Sequence, residues 1–199
     1  MTDVQFAKLV IFVNSLIPIT LLLWDLYFKK VGPNPLEFAT RTTGMLTLVF
    51  LLLTLAITPL RKTFGVNALV KTRRMVGLFA FFYGSLHLVT YIWFDRLLNF
   101  VSVVQDVRQR PFILVGMTAF ILMTPLAITS TNKMVKRLGG KRWAQLHKLV
   151  YPAAILGVVQ RGVSELDFDY GEYTKKHFDR LEEARKDPRF EGWIEAARA

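Results

Sequence analysis

Apolar residues in this chain fall in long unbroken stretches, not in strict alternation. Phe6–Phe28, Gly44–Leu60, Met75–Phe94 and Phe112–Ile128 each approach or exceed the ~20 residues with which an α-helix crosses ~30 Å of hydrocarbon. A fifth run, Leu149–Val159, is shorter. The pattern predicts an all-α, polytopic transmembrane helix bundle with four clear spans, a short fifth and a soluble tail. Phe6–Phe28 is too long for a secretory leader, lacks a small-residue cleavage site and contains Pro18, so it is read as a span. Prolines 59 and 125, in the phrases Ala56–Leu60 and Met123–Thr129, predict kinks near the ends of the second and fourth spans.

The pattern breaks near residue 160. Arg161–Ala199 holds ten of the fifteen acids and eight bases. Its apolar residues at Tyr170, Tyr173, Leu181, Phe190, Trp193, Ile194 and Ala197 show partial helical spacing broken near Asp187-Pro188, predicting one or two amphipathic helices. The chain therefore reads as a membrane domain, 1–160, followed by a charged soluble tail, 161–199.

Charge sharpens the membrane reading. The net charge of +11 resembles that of a nucleic-acid binder, but its distribution excludes nucleic acid as the partner. Arg61–Arg74 carries five bases and no acid, as does Ser130–Leu146, whereas Asp95–Arg110 is nearly balanced. Basic loops beside apolar spans mark the cytoplasmic side, so the amino terminus is expected inside a bacterial inner membrane. Trp24, Tyr27, Tyr91, Trp93 and Trp143 stand at span ends, where amphipathic rings favour the headgroup level. There is no cysteine among 199 residues. That excludes disulfides, thiolate-held iron–sulfur clusters and covalently attached c-type haem.

Two histidines carry candidate chemistry. His87 lies in the middle of the third run, and an ionisable residue inside a bilayer is a functional site by default. Gly77, Ala80 and Gly84 precede it at offsets that stack them on its helical face, a trough under which a planar haem could lie on the imidazole. The alternative is that these small residues let two helices approach closely while His87 bonds a neighbouring carbonyl. His147 opens the fifth run and is either a second ligand or an ordinary interfacial histidine. His177, between Lys176 and Phe178, is a solvated side chain. The spans hold no nucleophile triad, phosphate-cradling glycine loop or paired carboxylates, so bond-breaking chemistry would belong to a partner.

Arg73-Arg74-Met75-Val76-Gly77-Leu78 leading to Leu86-His87-Leu88, then Arg110-Pro111-Phe112, Thr129-Ser130, and Lys141-Arg142-Trp143 through Leu146-His147 to Val150-Tyr151 together resemble the MsrQ family. This is the haem-binding membrane subunit of the bacterial periplasmic methionine sulfoxide reductase system, related to ferric reductase transmembrane domains. The resemblance covers roughly residues 5–160. It implies b-type haem on His87 and His147, with FMN as a further cofactor. Arg73 and Arg74 would pair with haem propionates or an FMN phosphate, or serve only as topology anchors. Electrons would pass from the quinone pool, or a cytoplasmic flavin reductase, to a periplasmic molybdenum-cofactor enzyme that reduces oxidised methionine.

The chain departs from the family beyond residue 160, where the family would continue the helix and add another span, and at one position before that. The family pattern carries a third histidine thirteen residues after the one matching His147, and here that position is Gln160. Thirteen residues of helix rise about 20 Å, so position 160 is expected at the depth of His87. An amide is a poor iron ligand beside imidazole, which predicts five-coordinate iron, another donor, or loss of haem. The rival reading is accordingly a non-redox membrane scaffold or degenerate paralogue that no longer binds haem.

Overall fold

A computed structural model of the protein describes residues 3–28, 30, 34–65, 67–95, 107 and 110–166. The expected tail helices, with Tyr170 through Ala197, and His177 lie outside the described residues. The chain divides into two units, Met1–Gly162 and Val163–Ala199, and the packing of the first positions the candidate site.

Every described element is helical. The long helices are α1 (Asp3–Tyr27), α2 (Pro35–Phe64), α3 (Arg73–Val89), which widens into a π turn at Thr90–Asp95, and α4 (Pro111–Ile128). Two short helices follow, α5 (Asn132–Leu138) and α6 (Gly140–Leu146), then a 3-10 turn at His147–Leu149 and α7 (Val150–Leu166). Among the described residues, four helices are long and apolar enough to cross a membrane: Gln5–Tyr27, Pro35–Phe64, Arg73–Ile92 and Pro111–Ile128. These are the four expected spans. With 17 residues, α7 is about 25 Å long; it covers the short fifth run and continues to Leu166, past the expected boundary at 160.

The largest departure from the expected boundaries is α2, which starts nine residues before the apolar run at Gly44. Its opening turns are polar but strongly helical. Asn34 accepts from the Glu37 amide at 3.2 Å, Pro35 occupies the first turn, and Glu37 pairs with Arg41 at 2.9 Å, a cap and an i,i+4 pair that need no hydrophobic signal. Gly65, at φ 70°, closes the helix in the left-handed region. Pro59 and Pro125 sit inside α2 and α4 and do not end them. The basic connection 130–146 is itself helical, as α5 and α6.

The outward faces suit lipid. Phe6, Leu21, Leu23, Ile121 and Ile155 are exposed, and the hydroxyls of Ser15, Thr43, Thr47, Thr54, Ser85 and Thr118 donate to carbonyls four residues earlier. Such back-bonding leaves no hydroxyl proton unpaired in hydrocarbon. Inside, α2 and α3 form the main interface, α1 lies on both, and α4 packs on α3. The core is an aromatic stack. Phe50 of α2 lies parallel to Tyr83 of α3, with centroids 5.2 Å apart, and Phe79 continues the stack at 5.9 Å. Tyr83 is fully buried, and its hydroxyl donates to the Ser15 carbonyl of α1 at 2.6 Å.

Candidate functional site

The helix spacing that places His87 also aims it at α2. Its Nδ1 lies 2.9 Å from the Thr40 carbonyl oxygen. A carbonyl only accepts, so Nδ1 carries the proton and donates it, and Nε2 keeps a lone pair. This is the tautomer that metal-ligating histidines adopt when a backbone carbonyl holds their other nitrogen. The ring rests against Gly44. A β-carbon there would come within 3.0 Å of Cε1 and 3.1 Å of Nδ1.

The trough expected beneath His87 is not open. A β-carbon on Gly84 would meet Thr47 at 3.3 Å and Phe120 at 3.5 Å, one on Gly77 would meet Thr54 at 3.6 Å, and Ala80 is fully buried. The small residues thus serve the alternative reading. They let α3 sit close against α2 and α4, as small residues do where lipid offers no hydrophobic drive to association. Gly77 also lines a cavity.

That cavity, of about 230 Å³, brings together Arg73, Arg74, Trp143 and His147 beside Met123 and Tyr151. His87 is not among its walls, so three of the four candidate site residues converge at the basic end and the fourth stands deeper along α3. At less than the ~300 Å³ of small ligand pockets, the space is too small to enclose a whole haem-sized ligand. Its lining includes Arg73, Arg74 and Lys148 and, among the described residues, no carboxylate. Arg73 donates to Thr58 Oγ1 at 3.3 Å and Arg74 to Asn132 Oδ1 at 2.7 Å, both neutral, which leaves the positive potential available to an anion.

His147 is held by two neighbours that sequence reasoning did not assign to it. Trp143, one turn earlier, stacks on its ring with centroids 3.9 Å apart and donates its indole N–H to the Thr129 carbonyl at 2.9 Å. The i,i+4 spacing of Trp143 and His147 was the available signal. Nε2 of His147 lies 3.1 Å from Thr129 Oγ1. The Thr129 hydroxyl already donates to the Pro125 carbonyl at 2.6 Å, so Nε2–H is the donor here and Nδ1 holds the lone pair. Burial first, then the charges of Arg73 and Arg74, lowers the His147 pKa below its ordinary value, which favours the neutral imidazole that a metal requires.

Gln160 packs on α4. Its Cγ and Cδ would lie 3.2 Å from a β-carbon on Gly116. Gly157, one turn earlier, faces Leu48 of α2 at 3.5 Å, and Gly44, four residues before Leu48, faces His87. No hydrogen bond joins Gln160 and His87 among the described residues: Gln160 lies against Gly116 of α4, and His87 against Gly44 of α2. Nor do three or more His, Asp or Glu side chains converge on a point that could hold a bare metal ion among those residues. His87 and His147 would be the residues to hold the iron of a haem.

These features define a helical membrane domain with inward-facing histidines, and residues 43–158 match the ferric reductase like transmembrane component family. The chain is 53% identical over 157 residues to the "Protein-methionine-sulfoxide reductase heme-binding subunit MsrQ" of Herminiimonas arsenicoxydans, covering 79% of this chain and 72% of that protein. Likeness to the MsrQ of Ralstonia nicotianae is 50% over 157 residues, with the same coverage, and to that of Rhodospirillum rubrum 46% over 155 residues, covering 78% and 74%. The chain belongs to the MsrQ family. No solved structure matches it.

Proposed function

We propose that this chain is the haem-holding membrane subunit of a methionine sulfoxide reductase system, passing electrons across the bacterial inner membrane to a periplasmic molybdenum-cofactor enzyme. The observation that carries this reading is the 53% identity over 157 residues to a haem-binding MsrQ subunit; the bond of His87 Nδ1–H to the Thr40 carbonyl, which the packing reading expects equally, leaves Nε2 free to ligate iron. When bound, b-type haem supplies one-electron exchange between ferric and ferrous iron. The protein's part is to offer imidazole, to set the potential by ligation and burial, and to keep water from the metal. His147 is the second candidate ligand; it would ligate through Nδ1 as it stands, or through Nε2 only by giving up its bond to Thr129 and moving the ring proton to Nδ1.

Arg73 and Arg74, unopposed by carboxylate in the cavity lining, would take haem propionates or the phosphate of FMN. The donor would be the quinone pool or a cytoplasmic flavin reductase. The basic segments 61–74 and 130–146 would face the cytoplasm, with the amino terminus on the same side. Residues 1–160 would form the haem-binding domain and 161–199 a soluble tail. Reporter fusions after Arg161 and after Ala199 test that topology: both are expected to be active on one side of the membrane only.

The visible spectrum of the purified protein tests the main proposal. A Soret band with α and β bands that sharpen on reduction is the expected result. A folded protein that stays colourless after reconstitution with haem would leave only the scaffold reading. Gln160→His adds an imidazole at the depth of His87. It is expected to shift the iron toward six-coordinate, low-spin absorption, and an unchanged spectrum would show that the two positions do not share an iron.

A further inference from the structure

Gly44 stands in the interior of α2, where glycine is a poorer helix former than alanine. A side chain there would press first on one neighbour, which would have to give by a few tenths of an ångström. The three nearest atoms to a β-carbon at this position all belong to the His87 imidazole, Cε1 at 3.0 Å, Nδ1 at 3.1 Å and Nε2 at 3.6 Å. The other glycines of the spans answer to different partners. Gly84 faces Thr47 and Phe120, Gly77 has only the loose contact with Thr54, and Gly116 faces Gln160.

Thr40, one turn before Gly44, supplies the carbonyl that takes the His87 proton at 2.9 Å. Residues four apart share a helix face, so α2 offers bare backbone beneath the ring and an acceptor beside it. We propose that Gly44 is a positioning residue for His87, seating the imidazole directly on α2 so that Nδ1 stays on the Thr40 carbonyl and Nε2 is held in one orientation. The proposal rests on the reading of His87 as the iron ligand. Its consequence is electronic as well as steric. A histidine whose Nδ1–H is engaged is a more basic ligand through Nε2, which stabilises ferric iron and lowers the potential.

In the full-length protein, Gly44→Ala brings a β-carbon against the ring and displaces Nδ1 from Thr40. Haem retention is expected to weaken about 10–100-fold, the usual effect of disturbing a ligand's supporting partners. Any haem retained is expected to show a higher midpoint potential and an altered electron paramagnetic resonance signal. Gly84→Ala is the matched control, since its β-carbon meets Thr47 at 3.3 Å and touches packing, not the ligand. It is expected to change thermal stability and leave the potential and the resonance signal in place. A Gly44→Ala protein with wild-type retention, potential and signal would overturn the proposal.

A second measurement covers the case in which Gly44→Ala fails to fold. Nitrogen-15 NMR of the His87 ring in the haem-free wild-type protein is expected to show the neutral tautomer protonated at Nδ1. The Nε2–H tautomer would overturn the seat. This arm requires no haem, so a protein that never takes up haem would sink the proposed function while the seating of His87 is decided separately.

Discussion

His87→Ala is expected to abolish Soret absorption from any haem that depends on this side chain, while the bundle stays folded. The substitution removes the one imidazole whose tautomer is already set for ligation through Nε2, by the bond from Nδ1–H to Thr40. Little structure depends on it otherwise. His87 packs on Gly44 and Thr40 of α2, and the core beside it is the Phe50–Tyr83–Phe79 stack, which the change does not touch. Alanine also leaves a gap next to Gly44 that free imidazole can enter, so added imidazole should restore part of the band. His147→Ala separates the two candidate ligands. The two histidines stand about 20 Å apart in depth, too far to share one iron, so each variant is expected to lose only the absorption of the haem its own side chain holds. A full-strength, unshifted band in His87→Ala would remove this residue from the ligand set and leave its hydrogen bond as an ordinary way to satisfy a polar group in hydrocarbon.

Sequence alone located the spans well because the bilayer imposes length and composition together. A run such as Phe112–Ile128 admits almost no other reading, and α4 occupies Pro111–Ile128. The start of α2 was hidden because Asn34, Glu37 and Arg41 act through a cap and an ion pair, and these leave no apolar trace. For the candidate site, residue types were legible and their partners were not. Histidine in an apolar run announces itself, but Gly77, Ala80 and Gly84 have the same spacing whether the face they form receives a ligand or another helix. Only the positions of Thr47, Thr54 and Phe120 decide it, in favour of helix packing. Gly44 and Thr40 escaped notice for a related reason. One acts by lacking a side chain and the other through its backbone, so neither carries a chemical signature at its own position.

Tyr83→Ala is expected to cost more stability than any other single truncation in the spans. Tyr83 is fully buried, stacks on Phe50 of α2 at 5.2 Å and donates to the Ser15 carbonyl of α1 at 2.6 Å, so one side chain on α3 ties three spans together. In a soluble core, truncating a large aromatic costs ~3–5 kcal/mol, part of it the transfer of the ring from water. Lipid tails are as apolar as the core, so that transfer share is small here and packing and void terms remain. The expected loss is therefore about 2–3 kcal/mol, measured as a fall in the midpoint of unfolding by denaturant or heat in detergent or bilayer discs. Tyr83→Phe divides the effect. It keeps the stack and removes only the hydroxyl donor, and a neutral hydrogen bond contributes about 0.5–1.5 kcal/mol, so the phenylalanine variant should retain most of the stability. If Tyr83→Phe proves as unstable as Tyr83→Ala, the bond to α1 and not the aromatic stack joins the helices, and the α2–α3 interface ceases to be the centre of the fold.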